Sequence, residues 1–392
     1  MTPHRLWPVA IAIFALMLPV TGVVPVLQEL TGGRHPGLSD FAKHLFMISN
    51  MFAALIAAPL AGRLSDRFGR RRPIIVVAML ANALVLSLLA LNAPYTVHLL
   101  LRFFDGALHI TALTLLMAMA ADRAGLHASG SAMGLAGAAL TLGVAMGAPA
   151  GGLIGAIEPL GVLYAGAAIS VVIALWVARL GESIPGQARG PHHATPWLPR
   201  SAEALRPLAA PYVFTFADRL SVGFIISTMT LYLRTVLDAD PATIGLLMGS
   251  FMLPFALLTY AFGRLAGRFA PLAMMFAGSA CYGAILILLA FAPLPLWWLL
   301  MPLGGVAAAG MFAPSLILAS HGGGEAARAT ALGGFHAAGS LGFLVGPLVG
   351  GGTLAVAGLL GQEGWIAAFI LVAALQWLCI LLFLPRLRIA TT

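Results

Sequence analysis

Between Ala42 and Leu91 two long apolar runs are separated only by Gly62 to Pro73, GRLSDRFGRRRP, which holds five arginines and one aspartate. So much charge is excluded from hydrocarbon, and twelve residues are too few for a domain. The stretch reads as a tight charged turn between two membrane helices. Its wording returns about two hundred residues later as Gly263-Arg264-Leu265-Ala266-Gly267-Arg268-Phe269, again directly after an apolar run. Recurrence half a chain apart implies a duplicated membrane protein.

Composition agrees. Of 392 residues 60% are hydrophobic and only 9% are charged, against about 25% charged in soluble domains. Mean hydropathy is +0.98. Uninterrupted apolar runs of about 20 residues select helices rather than a barrel as the spanning element. The net charge of +8 does not indicate a nucleic-acid partner, because the basic residues cluster in alternate loops. With twelve spans and both termini inside, sixteen of the 21 Lys and Arg lie at cytoplasmic ends. Only Arg34, Lys43 and Arg234 lie outside, and Arg102 and Arg219 fall within spans. This distribution follows the positive-inside rule. Cys281 and Cys379 both fall in spans, with no disulfide or metal-ligand pattern around them.

The expected spans are 7–28, 42–61, 73–91, 96–121, 129–154 and 161–180, then 209–233, 241–262, 272–292, 295–319, 330–357 and 364–385. The apolar run after Arg5 is too long for a signal-peptide core and lacks a small-residue cleavage site, so the first helix is expected to be retained. Residues 1–180 form an N-terminal six-helix half, 181–206 a basic cytoplasmic linker rich in Pro and Gly, and 207–392 a C-terminal six-helix half.

Gly62, Leu64, Asp66, Arg67, Gly69, Arg70 and Arg71 fit G-x-L-x-D-R-x-G-R-[KR], and with this the chain resembles the major facilitator superfamily of secondary transporters. A second motif, G-x8-G-x3-G-P-x2-G-G, is similar to helix 5 of that superfamily's drug/proton antiporters. Gly134, Gly143, Gly147, Gly151 and Gly152 keep its spacing, with Ala148 at the proline position and Pro149 one place late. Gly333, Gly342, Gly346, Pro347, Gly350 and Gly351 carry its full form in helix 11. The resemblance implies an all-α membrane protein of twelve helices in two pseudo-symmetric halves that rock about a site near the midplane. It also implies a bacterial inner-membrane location, a monomer and no cofactor. In the family the aspartate of the first motif holds a gate by meeting the N-terminal end of helix 11 and an arginine ending helix 4, here Arg123. Small residues four apart let helices 5 and 11 pack closely at moving interfaces, with bends at their prolines.

An ionisable residue inside a span is a functional candidate by default. Helix 4 carries Arg102, Asp105 and His109 on one face. Arg102 to Gly106 resembles the family's R-x-x-Q-G, with an acid at the glutamine position. Two readings follow: Asp105 carries the coupling proton, tuned by Arg102 and relayed by His109, or Arg102 and Asp105 are a structural pair. Helix 7 carries Asp218 and Arg219, which point about 100° apart around the helix. Either Asp218 faces the cavity, approaching Arg102 or a cationic substrate, or Arg219 snorkels toward the cytoplasmic interface with Asp218 as its counter-ion. His336 is a candidate titrating group in helix 11. Phe214, Thr215, Ser221, Met311 and Ser315 are candidates for the cavity wall.

The expected function is proton-coupled antiport that exports a small organic molecule or drug. The alternative is a proton symporter or facilitator for an anionic metabolite bound by Arg102 and Arg219. An enzyme is not expected, since no nucleophile–base pair or metal-ligand spacing is visible. The partners expected are a small-molecule substrate, protons and the bilayer.

Overall fold

The computed structural model describes residues 6–68, 70–124, 129–181, 206–266, 268–322 and 324–390, with the side chains at 62–68, 124, 129–133, 322, 324–330 and 386–390 left undescribed. Among the described residues the chain is helical and contains twelve helices long and apolar enough to cross a membrane. They are α1 (Trp7–Gly22), α2 (Asp40–Phe68), α3 (Arg72–Leu89), α4 (Tyr95–Ala124), α5 (Ser129–Ile157), α6 (Gly161–Arg179), α7 (Ala209–Phe224), α8 (Pro241–Leu265), α9 (Pro271–Phe291), α10 (Leu294–Gly322), α11 (Gly324–Leu359) and α12 (Trp365–Ala390). Short 3₁₀ and π turns, Val24–Val26 and Glu29–Gly33, prolong α1. The π turn Ile225–Met229 leads α7 into a last helical segment, Thr230–Thr235. Residue type explains the starts: Pro8, Pro73 and Pro271 sit in the first turns of α1, α3 and α9, where a missing N–H costs nothing.

Boundaries of α2, α11 and α12 lie five residues or more from expectation, with α12 running to Ala390 rather than 385. α2 runs to Phe68, so the charged stretch is mostly the last two turns of a helix and only its end is a turn. Leu64, Arg63 and Arg67 are good helix formers, and no proline interrupts them before Pro73. α11 likewise begins at Gly324, earlier than the expected residue 330.

The chain divides into two compact units. In the first, α5 packs along α1. A Cβ on Gly143 would sit 2.5 Å from the Phe14 carbonyl oxygen, one on Gly147 would meet Leu18 and Thr21, and one on Gly151 would meet the backbone of Gly22. Pro149 packs against Gly249. In the second unit α11 packs along α7 in the same manner. Gly342 meets the backbone of Phe216 and Leu220, Gly346 that of Leu220 and Phe224, and Gly350 the side chain of Thr228. Pro347 lies against Gly223. The first glycine of each motif behaves otherwise: Gly134 and Gly333 are exposed, and a Cβ there would meet nothing within 4 Å.

Backbone-to-backbone approach of this kind admits no methyl group without a shift of the helix. We therefore expect Gly151→Ala and Gly346→Ala each to destabilise the protein by about 1–3 kcal/mol. Gly352→Ala, where a Cβ would meet nothing within 4 Å, should be neutral or stabilising. Apparent Tm of the purified variants in detergent measures both.

Candidate functional site

In the first unit Arg102, Asp105 and His109 line one small, water-sized cavity with Leu16, Pro19, Val20, Asn82, Leu86 and Ser170. The helical spacing read from the sequence thus brings the three together. Gly106 lets α2 cross α4 in contact, because its Cβ position is occupied by the backbone of Asn50. That approach delivers the Asn50 amide, which donates to Asp105 Oδ2 at 2.9 Å. Asn82, on α3, donates to Asp105 Oδ1 at 2.7 Å and accepts from Ser170 Oγ at 3.0 Å. The Arg102 guanidinium closes on Asp105 Oδ2, lies 4.7 Å over the ring of Phe46 and donates to Met47 Sδ at 3.9 Å. Asp105 therefore accepts from one guanidinium and two amides. Arg102 Nε is buried without a hydrogen-bond partner among the described residues, but the full engagement of the carboxylate favours the structural-pair reading of Arg102 and Asp105.

The second unit holds its charges differently. Asp218 is fully buried, and neither carboxylate oxygen accepts a hydrogen bond from the described residues. Its nearest cation is its own neighbour, with Arg219 Nε 3.4 Å from Oδ2. Of the two readings of this pair, the contact matches the one that makes Asp218 the counter-ion of Arg219. Their Cβ atoms diverge, but the long arginine stem bends back far enough for its Nε to reach the carboxylate. In this structure Asp218 is closed off from solvent. Tyr282, on α9, lies within electrostatic reach of Asp218, and its buried hydroxyl has no hydrogen-bond partner among the described residues. The groups around Asp218 are well tied by contrast. Gln376 donates to the Ala217 carbonyl at 3.1 Å and to Ser221 Oγ at 2.8 Å, while Ser279 donates to Gln376 Oε1 at 2.9 Å.

Arg219 lies ten residues into α7, about 15 Å along its axis, or half of a hydrocarbon layer about 30 Å thick. It does not snorkel. Its guanidinium carbon lies 4.4 Å from the ring centre of Phe312, 5.5 Å from Phe343 and 5.6 Å from Phe255. Its stem runs past Gly342 and Gly339, whose Cβ positions lie 3.1 and 3.3 Å from it. His336, one turn before Gly339, is exposed and within electrostatic reach of Arg219. Phe214, Thr215, Ser221, Met311 and Ser315 are at most 1% exposed. They are core rather than cavity wall; Phe214, for example, stacks on Phe276 at 5.7 Å.

At the arginine-rich end, Gly69 and the side chains of Gly62, Asp66 and Arg67 lie outside the described residues, and Arg70 is exposed. Arg71 is buried and grips Asp122 on α4 with two nitrogens, at 3.0 and 3.4 Å. Arg72 and Arg123 donate to the carbonyls of Leu180 and Gly181, just past the end of α6, at 3.1 and 2.7 Å.

Sequence reading missed Asn50, Asn82, Ser170, Tyr282 and Gln376. The signal was an uncharged polar side chain in an apolar span, which is weak until a partner is known. The three phenylalanines around Arg219 carried no signal, since α8, α10 and α11 each supply one.

A family model described as the Major Facilitator Superfamily matches residues 9–217 and 212–391. Among solved structures, the nucleoside transporter NupG is 15% identical with a TM-score of 0.78, over 97% of this chain and 98% of its own. A bacterial homologue of the human lysosomal transporter Spinster, in an inward-facing and occupied conformation, is 14% identical with a TM-score of 0.80, over 99% and 98%. The human organic anion transporter MFSD10 (TETRAN) is 19% identical with a TM-score of 0.68, over 97% and 100%. No curated protein matches.

Removing one member of a buried ion pair strands the other. Asp105→Ala should therefore destabilise the protein by about 3–5 kcal/mol. The double variant Arg102→Met, Asp105→Leu should recover most of that loss, as apparent Tm in detergent will show.

Proposed function

This chain belongs to the major facilitator superfamily, and from that premise we propose that it is a proton-coupled secondary transporter of a small organic molecule. Asp218, with its proton, is the coupling group. One observation carries this reading: Asp218 is fully buried in the middle of a span, receives no hydrogen bond from the described residues, and has a single ion-pair contact, to Arg219 at 3.4 Å, as its counter-charge. An ionised carboxylate in such a place is costly unless a cation or a proton compensates it. Asp105, by contrast, is bound by three donors, which suits a fixed pair.

The glycine motifs of α5 and α11 support antiport, that is, export against entering protons. Gly143, Gly147 and Gly151 of the first-half motif form the surface on which α5 packs against α1, and Gly342 and Gly346 of the second-half motif form that of α11 on α7. A second reading is co-transport of an organic anion with a proton. The partly exposed guanidinium of Arg219 beside Asp218 favours it. Both readings place the protein in a cytoplasmic membrane with its arginine-rich end inside, acting as a monomer by alternating access.

Purified protein in proteoliposomes with an internal pH dye tests the coupling. We expect substrate-evoked proton movement, lost in Asp218→Asn and retained at a third or more of the wild-type rate in Asp105→Asn. Proton movement against substrate flux supports antiport, and movement with it supports co-transport. Undiminished coupling in Asp218→Asn would sink the assignment of the carrier.

A further inference from the structure

The two mid-span arginines differ in what their terminal nitrogens touch. Those of Arg102 are spent on Asp105 and Met47, with the side chain only 3% exposed. Arg219 meets Asp218 through Nε alone. Its two terminal nitrogens have no hydrogen-bond partner among the described residues, and its side chain is 18% exposed. Three phenylalanine rings surround the guanidinium. Aromatic faces attract the cation but offer no hydrogen-bond acceptor. The result is a partly exposed fork of donors set among aromatic rings.

A planar fork of this kind matches a carboxylate, which accepts two parallel N–H bonds from it. The apolar rings beside it leave little else for a hydrophilic ligand to bond to, so an acid with an apolar body is the fitting occupant. We propose that Arg219 is the receptor for an organic carboxylate with an apolar body, and that Asp218 is its internal competitor for the guanidinium. The proposal rests on the transport reading only in treating this ligand as cargo.

The competition has a sign. An ionised Asp218 shares the positive charge of Arg219 with any arriving carboxylate, and two anions around one buried cation leave a net negative charge. A proton on Asp218 removes that excess. Carboxylate binding and proton binding therefore reinforce each other at this site, as co-transport requires. The other groups facing the pair are Tyr282 from α9, His336 from α11 and the Gln376–Ser221–Ser279 network from α12, α7 and α9. His336 is the one of these that also titrates near neutrality in its free form. A His336→Gln variant is therefore a necessary control.

Benzoate is the probe, with the neutral isostere benzamide as comparator, added to the purified full-length protein in detergent. Binding is read as a ligand-dependent rise in apparent Tm and as proton uptake from weakly buffered solution. We expect benzoate and not benzamide to bind, more tightly at mildly acidic than at neutral pH, with protons taken up as it binds. Arg219→Gln should weaken benzoate by about tenfold or more. Arg219→Lys, which keeps the charge but not the fork, should be weakened as well, and it alone is read if the glutamine variant is not monodisperse. Asp218→Asn should bind benzoate with no pH dependence, while His336→Gln should keep that dependence.

Benzamide binding as well as benzoate, no benzoate binding by the wild type, or unchanged affinity in Arg219→Lys would each overturn the proposal. So would a pH dependence that survives Asp218→Asn and disappears in His336→Gln. Benzoate binding without flux in proteoliposomes would instead uphold the site and remove the transport reading.

Discussion

A guanidinium in the middle of an apolar helix is costly to bury, at about 2.5–3.5 kcal/mol even on the mildest scale, and the rest of this structure is arranged around two of them. Arg102 is compensated by charge and hydrogen bonding: one carboxylate, two amides brought from neighbouring helices and a serine behind them. Arg219 is compensated by aromatic faces and by a single contact to an otherwise unbonded carboxylate. The first arrangement leaves nothing unsatisfied on the carboxylate and so resists change. The second leaves donors at one end and acceptors at the other without fixed partners, which is the condition under which a ligand or a proton alters the balance.

Glycine spacing is the second constraint, and it serves the first. Within the second unit Gly342 and Gly339 do more than let α11 approach α7, because the space they leave holds the stem of Arg219. A side chain there would press on that stem. In the first unit Gly106 has the corresponding part, since the backbone of Asn50 occupies the space where its Cβ would stand. Helix packing and placement of the charged groups are thus one feature in both units. Variation at these glycines acts on the polar groups as well as on stability.

The charged stretch after α2 has a local task among the described residues. Arg71 fixes the end of α4 through Asp122, while Arg72 and Arg123 hold the carbonyls of the two residues that follow α6. Three helix ends are tied by side chains that carry full charges into a low-dielectric boundary, where such bonds are stronger than in water. The arginines that mark the motif in the sequence are thus partly structural.

Period and length were legible in the chain by itself. Twelve apolar runs, their order, the shared face of Arg102, Asp105 and His109 and the close contact of glycine-bearing helices all follow from local rules: 3.6 residues per turn, about 20 residues per crossing, no room for a Cβ between touching backbones. One local matter went astray, because α2 continues through the charged stretch, and another was left open, whether Arg219 meets its neighbour; both depend on side-chain reach and solvation rather than on periodicity. What only the tertiary structure decided is the partner of each buried charge. Asn50 and Asn82 reach Asp105 from two other helices, and Phe255, Phe312 and Phe343 reach Arg219 from three. A helix prescribes which way its side chains point. The rotation and depth of the helices opposite are set by packing of the whole unit, and so the difference between a sealed ion pair and an open one is a property of the assembled helices.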